Sequence, residues 1–242
     1  VENGKPVEKQ GRKTIGPTGF YPWQPVAERG FFMFPIASSC KNSLLLIQQM
    51  LLNAQIDNND VAKLEKTTGI QIHEVGRILD DIQDYHRGVY RHSLNVGYLA
   101  AQLAIRLGLS KQEVYIISIG ALFHDIGKTR IPHSILDKPG KLGKDEWELI
   151  KEHPRRGFEL ISQYDWAYQL EPMILLHHER LDGKGYYSVA PQEIPLSARM
   201  VSVADAFYAM NSNRPYQRKQ NTNNCWEQME RCSGTQFDPN LL

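Results

Sequence analysis

The stretch "ALFHDIGK", residues 121–128, places a histidine and an aspartate side by side where an apolar run ends. Upstream, Ser110 and Glu113 have the spacing of a capping box, which predicts that a helix begins there and runs through "VYIISIGALFHD". Lys128 follows the pair by one turn. An isolated His-Asp pair is a weak signal for a metal site, so the rest of the chain must decide what the pair does.

The sequence on both sides of this stretch is predicted to be helical. Apolar residues recur at helical spacing from Asn42 onward, whereas the alternation typical of strands is almost absent. The predicted helices cover 43–55, 58–69, 71–85, 92–110, 144–153, 155–164, 168–178 and 196–210. We therefore expect an all-α fold.

The segments before residue 85 differ in character. Residues 1–41 are rich in Gly, Pro and Lys, and the prolines and glycines interrupt helical hydrogen bonding, which predicts an irregular arm or linker. Residues 42–84 are predicted to be helical. They form either a dimerising or signal-transmitting helix pair or an ordinary packed part of the domain, and the sequence leaves both alternatives open.

The composition argues against several classes of partner. The formal net charge of the 242 residues is only +1, so the chain has no general attraction for a nucleic acid polymer or an anionic membrane. Its longest aliphatic run, 44–47, is far too short for a membrane segment. Cys40, Cys225 and Cys232 do not form a disulfide framework and fit thiols in a reducing cytosol. We expect a cytoplasmic protein.

Further histidines fall near the predicted helix ends. His92 is expected to open one helix, His153 to close another before Pro154, and His177 and His178 to end a third. A lone histidine at a helix end is usually a capping or surface residue. Adjacent histidines are harder to explain in this way, because neighbouring side chains point about 100° apart on a helix. That divergence suits two imidazoles that approach one metal ion, or two that serve different partners.

Asp205 lies within the apolar stretch "MVSVADAFYAM", residues 200–210. An unpaired carboxylate there carries a desolvation cost of several kcal/mol, so it needs a cation or strong hydrogen-bond donors. Imidazole and carboxylate ligands together suit Fe, Mn, Ni or Zn. Because one ion rarely uses so many histidines and aspartates, the set favours two ions bridged by a carboxylate.

The order of these motifs resembles that of one family. The series is His92, "HDIGK" at 124–128, "HP" at 153–154, "HHERLDGKGY" at 177–186, "VADAF" at 203–207 and "RPY" at 214–216, together with "IPLSARM" and "SGTQFDP". It is similar to the HD-GYP family, a branch of the HD-domain metallophosphohydrolases, over residues 85–242. The resemblance implies an all-helical bundle with a binuclear metal site in its core, and a phosphodiesterase that hydrolyses cyclic di-GMP to pGpG or GMP.

The resemblance also implies the ligands of each ion. One divalent ion would be held by His92, His124, Asp125 and Asp205. The other would be held by Asp125, His153, His177 and His178, so that Asp125 is the bridge. Fe or Mn is expected, with Ni or Zn as alternatives. Asp125 and Lys128 would serve catalysis, in which a hydroxide between the two ions attacks phosphorus.

Other matching residues are expected to meet the substrate. Lys128 and Arg214 would contact phosphates, and the turn after the paired histidines would contribute Asp182, Gly183, Gly185 and Tyr186. The two glycines allow a sharp turn and a close approach of the backbone. Tyr186 would stack on a guanine or hydrogen-bond near the phosphate, or else only pack the loop. Glu179 is expected in the turn or behind the metal ligands.

Several positions depart from the family pattern. Tyr187 stands where the family has proline, and Gln217 stands where a basic residue commonly follows "RPY". Tyr208 and Asn211 replace a frequent aspartate and threonine. Some members bind a third metal through a glutamate at the position of Gly88, so two metals are expected here.

Three functional hypotheses therefore stand. The first is an active cyclic di-GMP phosphodiesterase. The second is a module that binds the dinucleotide, or a partner such as a GGDEF-type protein, and signals without turnover. The third is a phosphohydrolase for another nucleotide. A homodimer through residues 42–84 is compatible with each.

Overall fold

The computed structural model describes residues 42–212 and 220–242. Its α-helices are α1 (Ser43–Asn53), α2 (Asn58–Thr68), α3 (Ile72–Tyr85), α4 (Arg87–Arg106), α5 (Lys111–Phe123), α6 (His133–Leu136), α7 (Lys144–Lys151), α8 (His153–Ile161), α9 (Glu171–Leu175), α10 (Leu196–Met210) and α11 (Thr222–Arg231). The predicted arm at 1–41, Arg214 and Gln217 lie outside the described residues.

The all-α prediction is confirmed. The described residues contain no named strand, and their single isolated β-bridge joins Ser233 to Phe237. None of the helices in this part of the chain combines the length with the apolar character that a membrane crossing requires. Neither Cys225 nor Cys232 forms a disulfide within the described residues.

Helix α5 is the centre of the fold. Nine of its 13 residues are buried, including Ile119, Leu122 and Phe123. A helix that is apolar on all sides must be covered on all sides. Helix α4 packs along it, while α9 and α10 also contact it. The burial of α5 therefore brings its C-terminal end, where the His-Asp pair follows, into the interior of the protein.

Helices α1–α3 belong to the same hydrophobic core. Ile47 of α1, Val61 of α2 and Leu79 of α3 are buried in one cluster with residues of α4 and α5. Asp57 caps α2 by accepting a hydrogen bond from Asp60 N at 2.9 Å. Residues 42–84 thus pack as part of the domain, and a signal-transmitting role for them stays a prediction.

The helix boundaries differ from the sequence prediction at three places that carry histidines of interest. Helix α4 begins at Arg87, so His92 lies inside it and does not open it. His153 does not close α7 but opens α8, because Pro154 fits the first turn of a new helix, where its missing N–H costs nothing. Helix α9 ends at Leu175, so His177 and His178 lie in the turn that follows it.

Candidate metal centre

Three buried histidines are oriented by the backbone of the turn that precedes them. Nδ1 of His124 donates to the Ala121 carbonyl at 2.7 Å, and Nδ1 of His153 donates to the Ile150 carbonyl at 2.7 Å. Nδ1 of His177 donates to the Ile174 carbonyl at 2.9 Å. A carbonyl can only accept, so in the neutral rings the proton is on Nδ1 and the lone pair is on Nε2.

These Nε2 atoms converge in two pairs. His153 Nε2 lies 3.2 Å from His177 Nε2, and His124 Nε2 lies 3.2 Å from His92 Nε2. In the first pair both atoms carry lone pairs, so no hydrogen bond can join them. A cation bound between such nitrogen atoms would satisfy both.

The Asp125 carboxylate lies between the two histidine pairs. Its Oδ2 is 3.3 Å from Nε2 of both His92 and His124, while its Oδ1 is 3.1 Å from His153 Nε2 and 3.9 Å from His177 Nε2. The side chain is only 1% exposed, and Oδ1 has no hydrogen-bond partner among the described residues. A buried carboxylate oxygen without a donor is costly, and a bound cation removes that cost.

Asp205 and His178 complete the cluster. Asp205 Oδ1 lies 2.9 Å from His92 Nε2 and 4.0 Å from His124 Nε2. The His178 ring centroid lies 4.1 Å from that of His177. One possible ligand atom from each of Asp125, His153, His177 and His178 lies within 4.8 Å of the other three. The structure therefore brings together all seven residues to which the resemblance assigned a metal.

Burial and the neighbouring charges together set the charge of these groups. Burial lowers the pKa of His178 to about 3 and the pKa of His177 to well below its usual value. It also lowers the pKa of His153. Burial alone would raise the pKa of the Asp125 carboxyl, but Lys128, His124 and His153 together outweigh it and hold the pKa well below its ordinary value. Burial alone would lower the pKa of His124, but the nearby Asp125 and Asp205 carboxylates raise it. The neutral imidazoles of His153, His177 and His178 beside the Asp125 carboxylate are donors that divalent transition metals bind, so these residues fit such an ion.

Lys128 lies at the rim of the cluster. It follows the His-Asp pair in the 3₁₀ turn Ile126–Arg130, and its Nζ donates to Asp125 Oδ2 at 2.5 Å. Its side chain is 21% exposed, so the ammonium borders both the buried carboxylate and the solvent. A phosphate approaching the cluster would meet this positive charge.

Glu179 fixes the loop that follows the paired histidines. Its side chain is buried, Oε1 accepts from Tyr187 N at 2.7 Å, and Oε2 accepts from Val189 N at 2.9 Å. A Cβ on Gly185 would lie 2.4 Å from Glu179 Oε2, so only glycine allows this approach. Gly183 has a φ of +70°, as its predicted role in a sharp turn requires.

Tyr186 and Asp182 have different surroundings within this loop. The Tyr186 ring lies over His178, with centroids 4.4 Å apart and an interplanar angle of 33°. The Asp182 carboxylate accepts from Arg180 Nε at 2.9 Å and from Arg180 Nη2 at 2.8 Å. Hydrogen bonding to Arg180 lowers the pKa of Asp182 to about 2. Asp182 thus holds the turn, and its predicted contact with substrate stays a prediction.

A second group of possible ligands, unforeseen in the sequence, lies on the surface. His86 Nε2 is 2.9 Å from Asp137 Oδ1, and His133 Nδ1 is 3.4 Å from Asp137 Oδ2. However, His86 Nδ1 accepts from Val89 N at 3.1 Å and so caps α4. The neutral ring must then carry its proton on Nε2, which leaves no lone pair there for a metal. This group is a hydrogen-bonded cap.

Two groups of contacts around this loop could not be predicted from the sequence. The bonds from Glu179 reach amides eight and ten residues downstream, and Arg180 Nη1 donates to the distant Gln236 at 2.6 Å. Neither group of contacts can be predicted from the spacing of the residues along the sequence. The only hint was the position of Glu179 directly after the paired histidines.

Comparison with known proteins agrees with this geometry. A family model of the HD domain matches residues 75–241, which is more than half of the chain. The chain belongs to the HD domain family. The resemblance in its motifs is thereby confirmed, and the match begins within the segment 42–84, which the motifs had left unassigned.

Relatives and a solved structure extend the comparison. The chain is 37% identical over 209 residues to RpfG, a cyclic di-GMP phosphodiesterase response regulator of Xanthomonas campestris pv. campestris, covering 85% of this chain and 53% of RpfG. It is 39% identical over 173 residues to a cyclic di-GMP phosphodiesterase of Thermotoga maritima, covering 70% of this chain and 47% of that protein. The chain thus spans about half the length of these curated relatives.

The solved structure of Bd1817, an HDG"Y"P protein from Bdellovibrio bacteriovorus, superposes with a TM-score of 0.53. The alignment has 17% sequence identity and covers 81% of this chain and 64% of that chain. At this identity the likeness supports the helical HD-domain fold alone.

Proposed function

We propose that this HD domain is a metal-dependent phosphodiesterase that hydrolyses cyclic di-GMP to pGpG or GMP. The observation that carries the proposal is the Asp125 carboxylate, whose two oxygens face two separate groups of histidines. The relatives from Xanthomonas campestris and Thermotoga maritima, which are named for this activity, support the choice of substrate.

The proposed ligands follow the two histidine groups. One ion would lie among His92, His124, Asp125 and Asp205, and the other among Asp125, His153, His177 and His178. Fe or Mn is proposed, and Ni or Zn also fits imidazole and carboxylate donors. When bound, two such ions supply Lewis acidity and lower the pKa of water.

The protein's own residues would orient the substrate and balance its charge. Lys128 borders the buried cluster and is placed to stabilise negative charge on a phosphate in the transition state. Glu179 holds the loop that carries Tyr186 beside His178. Arg214 is proposed to contact a substrate phosphate, as its motif predicts.

We also propose a cellular location for the protein. Because cyclic di-GMP is a bacterial second messenger, the proposed phosphodiesterase would act in the cytoplasm. A GGDEF-type protein partner and a homodimer through residues 42–84 remain predictions that accompany this function.

The test is turnover by the metal-loaded protein. Cyclic di-GMP is incubated with protein reconstituted with Mn²⁺ or, without oxygen, Fe²⁺, and products are followed by chromatography. We expect pGpG or GMP from the wild type and a loss of at least about 100-fold in rate for Asp125→Ala, because both metal groups lose a ligand. Asp137→Ala is the matched control: this surface aspartate also lies between two histidines, and its variant should retain full activity.

The other outcomes separate the alternatives. Tight binding of cyclic di-GMP without product would reject the enzyme in favour of a receptor module. If cyclic di-GMP is neither bound nor hydrolysed, the search moves to another nucleotide. Metal analysis tests the site independently, since fewer than two ions per fully loaded chain would contradict the binuclear proposal.

A further inference from the structure

Trp147 is an exposed aromatic residue at the edge of the metal centre. It lies on α7, and its side chain is 44% exposed. No residue of α7 is buried, and Trp147 is not among the side chains that pack against the hydrophobic core. A single exposed apolar residue needs no special explanation. The position of Trp147 does need an explanation, because its ring begins a series of aromatic contacts that leads to the metal centre.

A continuous line of rings joins Trp147 to the metal centre. The Trp147 and Tyr186 rings are nearly perpendicular, at 83°, with centroids 6.1 Å apart. Tyr186 in turn lies 4.4 Å from His178, one of the converging histidines. Because the Trp147 and Tyr186 rings pack edge to face, their planes meet almost at a right angle and form a corner. A flat group can stack on one ring while its edge contacts the other.

The charges near Trp147 indicate which part of a ligand would bind there. The acids next to Trp147 on α7 are paired with lysines: Glu148 Oε2 lies 2.7 Å from Lys151 Nζ, and Glu146 Oε2 lies 2.6 Å from Lys138 Nζ. These two lysines are therefore already neutralised and offer little attraction to a phosphate, whereas an uncharged, flat group needs no cation and gains stacking on the indole. The ammonium group that could bind a phosphate is instead that of Lys128, which lies beside Asp125 in the metal centre. The corner therefore suits a base and not a phosphate.

We propose that Trp147 and Tyr186 form a binding site for the purine base of a nucleotide whose phosphate lies at the metal centre. The proposal rests on the proposed function for the position of the phosphate. It adds a substrate-binding residue from α7, outside every motif that carried the family resemblance. It also assigns recognition of the base to a residue that takes no part in metal binding.

The experiment compares ligands with and without a base. Equilibrium binding of GMP, ribose 5-phosphate and cyclic di-GMP is measured by calorimetry on the Mn²⁺-loaded wild type, Trp147→Ala and Trp147→Phe. We expect Trp147→Ala to weaken GMP and cyclic di-GMP by about 5- to 100-fold, the range of base stacking on an aromatic ring. Ribose 5-phosphate should be unaffected, and Trp147→Phe should recover most of the loss.

Tyr168→Ala is the matched control. Tyr168 is also an exposed aromatic residue, 66% exposed, in edge contact with Phe158 at 5.7 Å. Its ring contacts none of the histidines of the metal centre within the described residues. Removing it should change the binding of none of the three ligands, while thermal unfolding verifies that each variant is folded.

Each outcome decides between the two proposals. Equal weakening of GMP and ribose 5-phosphate by Trp147→Ala, or no weakening of either, would overturn the base site. So would a wild type that binds GMP no more tightly than ribose 5-phosphate. If GMP binding depends on Trp147 but cyclic di-GMP is not hydrolysed, the base site stands and the proposed phosphodiesterase function fails.

Discussion

Glu179 directly follows the paired histidines, yet its carboxylate accepts hydrogen bonds from two amides of the next loop. Glutamine can accept from only one of them, because its amide NH₂ would face the other N–H. We therefore expect Glu179→Gln to lower the free energy of unfolding by about 1–3 kcal/mol, the usual cost of an unpaired buried group. Urea unfolding measures this change.

A glutamate on the surface provides the comparison for this variant. Glu193 is exposed in the 3₁₀ turn Pro191–Glu193, so Glu193→Gln should stay within about 0.5 kcal/mol of the wild type. If both variants unfold at the same urea concentration as the wild type, Glu179 does not hold the loop.

Tyr187 stands where the motif that the sequence resembles would have proline, and its N–H is one of the two donors to Glu179. Proline has no N–H, so Tyr187→Pro should leave Glu179 Oε1 without this partner. We expect Tyr187→Pro to be about 1–2 kcal/mol less stable than Tyr187→Ala, which loses the same side chain but keeps the N–H. Thermal unfolding of the two variants gives the difference. A proline variant as stable as the alanine variant would show that the ring's fixed φ compensates for the lost bond.

Helix α5 begins with a reciprocal cap and ends at the metal centre. Glu113 N donates to Ser110 Oγ at 3.3 Å, and Ser110 N donates to Glu113 Oε2 at 2.8 Å. Loss of such a cap costs about 1 kcal/mol, which for a domain of this size lowers Tm by about 2–4 °C. We expect Ser110→Ala to show this shift in calorimetry with unchanged metal affinity, because the cap lies at the opposite end of the helix from His124.

Ser110→Asp is the conservative variant, because aspartate is also a good N-cap. It should retain most of the stability that Ser110→Ala loses. A large loss of metal binding in Ser110→Ala would mean that the two ends of α5 are coupled, contrary to this expectation.

At the scale of helices, the sequence predicted nine of the eleven described α-helices, all except α6 and α11, but placed most of their ends less well. The capping box at Ser110 and Glu113 was recognised because it is a local signal. His153 was placed at the end of α7, although the following proline starts a new helix there. Such boundaries depend on which backbone groups the folded protein satisfies, and spacing alone does not reveal that.

At the scale of the whole molecule, the metal centre is assembled from distant parts of the chain. His92 comes from α4, Asp205 from α10, and Asp125 from the turn after α5. The sequence predicted that these residues act as one set, because their motifs occur in a fixed order. It did not give the carbonyl partners that orient each Nδ1 or the direction in which each Asp125 oxygen points. These hydrogen-bond partners and orientations depend on the packing around α5, which brings together segments far apart in the sequence.

Because the ligands come from several helices, metal binding should stabilise the protein as a whole. A ligand that binds only the folded state at 100 times its Kd adds about 2.7 kcal/mol per site. We expect Mn²⁺ to raise Tm by at least about 5 °C over the EDTA-treated protein, measured by calorimetry. Asp125→Ala should abolish most of this shift, and Asp205→Asn should reduce it.

His133→Ala is the control that separates the two histidine groups. It removes one member of the surface group formed by His86, His133 and Asp137, in which His86 Nε2 carries the proton. If the buried centre is the metal site, His133→Ala should keep the full Mn²⁺-dependent shift. A shift that is lost in His133→Ala and kept in Asp125→Ala would place the metal on the surface. It would also mean that the buried Nε2 atoms converge for a reason other than metal binding.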